Sequence, residues 1–213
     1  MTKISKPVLT IAIIVSCVAV FAGIKYFKLK SQTESLPPLP QRAKGNPNGK
    51  VRIIEFIDFQ CPACANGVKI LNDYLKKYPN EIYLELRYFP LVMHRHGNTS
   101  ARYGECAARQ EKFWPFLELL LERQKQWSVL NDPVPAFEII AKEVDLNVDQ
   151  LNACLQDPGV ETVITADVDE GKLRGVKSTP AYFINHEMVV GTKLLPSKLD
   201  SYLKGRIENL LGP

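Results

Sequence analysis

The 213-residue chain has no internal repeat, no low-complexity tract and no collagen-like glycine period, which excludes fibrous, repeat and wholly disordered architectures. It also lacks the charge excess of a nucleic-acid binder. The formal net charge is +4, yet five of the 27 basic residues (Lys3, Lys6, Lys25, Lys28 and Lys30) fall in the first 31 positions, where there is no acid. The rest of the chain is at −1, without the basic bias needed to track phosphates. Cysteine is scarce as well. Cys17, Cys61, Cys64, Cys106 and Cys154 are the five, so each has to be understood from its own setting. What the chain has in quantity is apolar residues, 46% of the total, enough to bury one domain core and to supply an appendage.

That appendage is N-terminal. Residues 8–24 (VLTIAIIVSCVAVFAGI) carry no charge and are followed by Lys25, Tyr26, Phe27 and Lys28, side chains suited to a membrane interface. As helix the run is about 26 Å long, the short end of a bilayer span, and residues 1–30 are read as an uncleaved membrane anchor. Two rivals stand beside that reading. A cleaved signal peptide shares the basic start and apolar centre, although a small-x-small cleavage site is not evident. Ile14-Val15-Ser16-Cys17 also has the look of a lipoprotein box whose Cys17 would carry lipid, although the apolar run continues past it. Lysines flank the run on both sides, with slightly more on the C-terminal side, so counting charges alone would leave the body in the cytoplasm; the cysteine chemistry argues the reverse. Residues 31–48, rich in Pro, Ser and Gln without apolar periodicity, read as a semi-extended tether.

The body reads as α/β. Residues 51–59 (VRIIEFIDF) and 82–91 (IYLELRYFPL) are strand-like, and between them Val68, Leu71, Leu75 and Tyr78 recur at helical spacing up to Pro79-Asn80. A strand, helix and strand of this length imply a parallel pair with a right-handed crossover. A long buried helix is expected over 98–126, bent or interrupted near Pro115, with 118–125 forming a solvated face. Shorter helices are expected at 133–144 and 147–156, then one at 159–174 stopped by Gly175. A hairpin of 181–184 and 188–190 and a closing helix at 196–211 complete the chain. The expected divisions are therefore 49–92 and 159–213 as two halves of one α/β fold, with a helical insertion at 93–158.

Cys61-Pro62-Ala63-Cys64 stands where the first strand hands over to its helix. Proline is best tolerated at the first helical position, which puts Pro62 at N1 and Cys61 at the N-cap, facing free backbone N–H groups and the positive end of the helix dipole. A Cys61 thiolate is stabilised there, making Cys61 a good leaving group, while Cys64, one turn in, is shielded and resolves mixed disulfides. Glu55 lies on the same side of the strand as residues 57, 59 and 61. Buried in an apolar strand its pKa rises and it can exchange protons with Cys64; the alternative is a solvated glutamate at a strand edge. His94-Arg95-His96 with the two cysteines would suit zinc or copper, against the plainer reading of solvated loop histidines.

EFIDFQCPAC at 55–64, GNPNGKV at 45–51 and Ser178-Thr179-Pro180-Ala181-Tyr182-Phe183 together resemble the DsbA-like thiol-disulfide oxidoreductases. The resemblance runs over roughly 45–211 and implies a thioredoxin fold with an all-helical insertion. It places Glu55 on the family's buried acid and Thr179-Pro180 on its cis-proline loop. Thr179, Pro180, Pro62 and Ala63 are then the residues expected to meet an extended substrate chain. Ala63 departs from the histidine of the best-known oxidases, and this weakens Cys61 as a leaving group. Cys106 and Cys154, on two predicted helices of the insertion, are expected to form a structural disulfide worth about 4 kcal/mol in loop entropy, with buried free thiols as the alternative. A disulfide requires an oxidising compartment, which with the anchor puts the body in the periplasm or another extracytoplasmic space.

The expected function is thus oxidation of the thiols of unfolded or partly folded exported proteins, without cofactor or metal. The resemblance implies recharging by a membrane-bound, DsbB-like partner. A reductant-supplying partner fits the alternative of a reductase or isomerase, and a copper or zinc carrier is the alternative from another class. A monomer is expected, since 31–48 is too short for a dimerisation domain.

Overall fold

The computed structural model describes residues 40–211. The expected anchor at 1–30 and Cys17 lie outside them, as does the first half of the tether. Among the described residues no helix is long and apolar enough to cross a membrane.

One sheet of five strands organises the body: β1 (Ala43–Gly45), β2 (Val51–Ile57), β3 (Ile82–Tyr88), β4 (Ala181–Ile184) and β5 (Glu187–Val190), in the order β1-β3-β2-β4-β5. The neighbours β2 and β3 are parallel and are joined by α1 (Pro62–Lys77); the other three pairings are antiparallel. Side chains along β2 alternate between two apolar layers, as the period of a strand requires. Ile53 and Ile57 pack with Val68 and Leu71 of α1, while Ile54 and Phe56 face Phe89, Val176 and Phe183. Each large aliphatic residue sealed this way contributes about 2 kcal/mol. Glu55 falls by alternation on the α1 side.

The insertion comprises α2 (Gly97–Ala108), α3 (Phe113–Glu122), α4 (Gln124–Trp127), α5 (Val134–Glu143) and α6 (Val148–Gln156). The chain returns to the sheet through α7 (Pro158–Leu173) and ends in α8 (Leu195–Leu211). Cys106 of α2 and Cys154 of α6 are joined, with sulfurs 2.09 Å and Cα atoms 5.8 Å apart.

Three expectations are corrected. The helix expected over 98–126 is interrupted, but into three helices and with the main break at 109–112, where Glu111 takes a left-handed φ of 59°, instead of at Pro115. Pro115 sits in the first turn of α3, where a missing N–H breaks no helical bond. The stretch 118–125 is not a purely solvated face: Leu120, Leu121 and Gln124 are buried, and Glu118, Glu122 and Lys125 are exposed. Finally, the C-terminal part of the tether belongs to the fold. Ala43–Gly45 pair with β3, the Trp114 indole donates to the Ala43 carbonyl at 2.9 Å, and Arg42 is 3% exposed. Arg42 joins Glu85, Arg87, Glu105, Asp167 and Glu170 in a buried ionic cluster that accommodates the charged residues of β3.

Candidate active site

β2 delivers its C-terminal end directly to the cysteine pair. Cys61 is the N-cap of α1 in extended conformation (φ −76°, ψ 120°), with Pro62 at the first helical position. Cys61 is 7% exposed, whereas Cys64 is fully buried one turn along. Pro62 is exposed and Ala63 half-buried, so the inter-cysteine residues present a surface beside the reactive sulfur. The Thr179–Pro180 peptide bond is cis, and the Thr179 carbonyl lies 3.5 Å from Cys61 Sγ.

These surroundings drive the two thiols apart. Cys61 is lowered from its ordinary 9.0 to about 5, chiefly because the Cys64 thiol donates a hydrogen bond to its thiolate. The backbone N–H groups of Cys64 and Ala63 act in the same direction, and burial opposes them. The helix N-terminus that the sequence singles out thus has a share, with the neighbouring thiol ahead of it. The Thr179 hydroxyl, buried and otherwise without a partner of good geometry, also favours the thiolate. Cys64 is pushed well up by burial, and the nearby Cys61 and Glu55 add to this. A ready thiolate beside a masked one is what two-step exchange through a mixed disulfide requires.

Glu55 is buried behind the pair, and burial raises it from 4.5 to about 8. The Tyr182 hydroxyl favours its ionised form, yet neither carboxyl oxygen has a partner of full hydrogen-bond geometry, so the contact is electrostatic rather than a formed bond. The edge-of-strand alternative for Glu55 is therefore set aside. Cys106 and Cys154 are not part of this constellation; they tie α2 to α6 within the insertion.

Several residues that hold the site were not singled out from the sequence. Gln124 of α4 donates its amide to the carbonyls of Phe59 (2.7 Å) and Cys61 (3.0 Å), fixing the turn into α1 from the insertion side. Asp58 accepts from the backbone of Gln60 (2.8 Å) and Leu91 (2.7 Å), and lies 2.8 Å from His94 Nδ1. His96 directs a ring nitrogen at the Leu130 carbonyl, 2.8 Å away. Both histidines thus fasten loops of the fold through a ring nitrogen. Among the described residues no group of three or more His, Cys, Asp or Glu could hold a metal ion. The fastened loops present exposed apolar side chains at Val92, Met93 and Val129. No sequence signal marks Gln124 or Asp58, because both act on backbone groups that only the fold brings near.

A thioredoxin family model (Thioredoxin_4) matches residues 39–204. The chain belongs to the thioredoxin family. Within it the architecture is DsbA-like: the structure of α-DsbA1 from Wolbachia pipientis superposes with a TM-score of 0.70 at 22% identity, covering 85% of this chain and all of that one. DsbA2 from Pseudomonas aeruginosa superposes with a TM-score of 0.62 at 22% identity, over 82% of this chain and 100% of its own. In sequence, a probable disulfide bond formation protein D from Bacillus cereus is 24% identical over 68% of this chain and 70% of its own length. A Na(+)/H(+) antiporter NhaA from Herminiimonas arsenicoxydans is 26% identical over 86% of this chain, which spans 31% of the antiporter's length.

Proposed function

We propose that this thiol-disulfide oxidoreductase works outside the cytoplasm, tethered by its N-terminal apolar segment, and introduces disulfides into exported proteins. The carrying observation is the placement of Cys61 at the N-cap of α1, ahead of a fully buried Cys64 and beside the Thr179 carbonyl, a setting that lowers the pKa of the Cys61 thiol and raises that of Cys64. A stabilised thiolate favours the reduced pair, so the Cys61–Cys64 disulfide is driven to give its bond away. A substrate thiolate attacks Cys61 Sγ, the Cys61–Cys64 bond breaks, and Cys64 leaves with the electron pair and takes a proton from Glu55. A second substrate thiolate then attacks the substrate sulfur of the mixed disulfide and releases Cys61 as a thiolate. The Thr179 carbonyl beside Cys61, ahead of the cis-Pro180, is where an extended substrate backbone would lie, with Pro62 and Ala63 as the adjoining surface. The two electrons left on the pair must pass to an acceptor, in this reading a membrane-bound, DsbB-like partner.

Thiol alkylation in living cells separates the directions of electron flow. An oxidase keeps Cys61 and Cys64 mostly disulfide-bonded at steady state; a mostly reduced pair points instead to a reductase using the same residues. In Cys64→Ala the lone Cys61 thiolate attacks an existing disulfide, displaces one of its sulfurs and cannot be resolved, so covalent adducts on Cys61 are expected on non-reducing gels, and their absence would overturn the exchange mechanism.

A further inference from the structure

We infer that Tyr182 is a positioning residue for the proton step, its hydroxyl set beside the Glu55 carboxyl through a space that Gly67 keeps open. This inference rests on the exchange mechanism above and adds to it the group that adjusts the buried acid. Glu55 has two cross-strand neighbours, Leu86 on β3 and Tyr182 on β4. The first is apolar, so of the two only the second offers a polar group. Tyr182 is completely buried, and its hydroxyl, like both Glu55 oxygens, lacks any partner of full hydrogen-bond geometry. A buried phenol carries a desolvation penalty that phenylalanine of the same shape would not.

Room for that hydroxyl is made by α1. A Cβ at Gly67 would stand 1.9 Å from the Tyr182 hydroxyl oxygen and 3.4 Å from a Glu55 oxygen. Gly67 is in mid-helix, where alanine is otherwise preferred. The Tyr182 hydroxyl and the Glu55 carboxyl therefore meet against Gly67 of α1, and the charge of Glu55 reaches Cys64. The titratable groups facing Glu55 there are Cys61 and Cys64 from α1 and Tyr182 from β4. Among the described residues no basic side chain pairs with it. Burial and the negative charges around it push the Tyr182 hydroxyl far above its ordinary range, so it stays protonated and can only donate. A donor of this kind favours the carboxylate, the form that takes the proton when Cys64 has to become a nucleophile, without itself exchanging protons.

The test is Tyr182→Phe, which removes one oxygen and no packing volume. Titration of the Glu55 carboxyl by NMR on selectively labelled protein is expected to move upward by about one pH unit, because the hydroxyl dipole that favours the carboxylate is gone. The rate of mixed-disulfide resolution by Cys64 should follow with the same displacement, about tenfold slower at pH 7 and recovering at higher pH. Gly67→Ala, which drives a methyl into the hydroxyl, should displace both readings in the same direction. An unmoved Glu55 titration in Tyr182→Phe overturns the inference, as does a moved titration with an unmoved rate profile. Failure of the exchange reading itself shows separately, as wild-type protein that forms and resolves no mixed disulfides.

Discussion

A carboxyl that is wholly buried without a well-formed partner works against the fold that holds it, and Glu55 is in this position. Its folded pKa of about 8 stands above its ordinary 4.5, so the folded state binds the proton more tightly than the unfolded chain does. The associated stability is complete below 4.5 and is lost as the pH rises through about 8. Glu55→Gln is accordingly expected to be more stable than wild type, on the order of 3 kcal/mol at pH 7, with the gain vanishing below about pH 4.5. The same variant should exchange disulfides more slowly, since Cys64 loses the group that gives it a proton as it leaves and takes one when it attacks. Denaturant unfolding across pH, set beside turnover, checks both; equal stability at pH 7 would mean that Glu55 is solvated. The cysteine pair and Glu55 are legible in the sequence because a strand ending at C-P-x-C has few geometric solutions. Tyr182 and Gly67 are not, because their roles arise from a contact between β4 and α1 that no local pattern announces.

Elements show the same division. The strands β2, β3 and β4 and the helices α1, α7 and α8 follow from periodicity, since each presents a regular apolar face to a shared core. β1 has no such face: it is Ala-Lys-Gly, held by pairing with β3 and by the Trp114 indole. The break at 109–112 escapes for a related reason, because its left-handed residue is Glu111 rather than glycine. In the insertion, α2 and α6 are joined by Cys106–Cys154, which closes 48 positions of chain. Replacing both cysteines with alanine is expected to lower stability by about 4 kcal/mol through the freed unfolded state. The reactivity of Cys61 should be unchanged, as the bridge does not touch it. Paired measurements of unfolding free energy and Cys61 alkylation rate decide this; a slowed alkylation would tie the bridge to the active site.

For the whole molecule the decisive quantity is the difference in stability between the reduced and the disulfide forms. Only the reduced form contains a Cys61 thiol able to ionise, so only that form gains from the depressed pKa. Because the folded value of about 5 lies below the ordinary 9.0, the gain is complete above 9.0, fades as the pH falls, and is gone below about 5. Cys64 is shifted the opposite way and opposes the gain only where an unfolded thiol would begin to ionise, near and above 9.0. Glu55 titrates in both forms, so comparing them largely removes its share. Between pH 5 and pH 7 the reduced form should therefore gain on the disulfide form by about 2 kcal/mol, measured by parallel guanidinium unfolding of the two states. A difference that stays flat over that interval would show Cys61 to be an ordinary thiol. It would remove the driving force for donating the bond and turn the proposed direction of electron flow towards reduction.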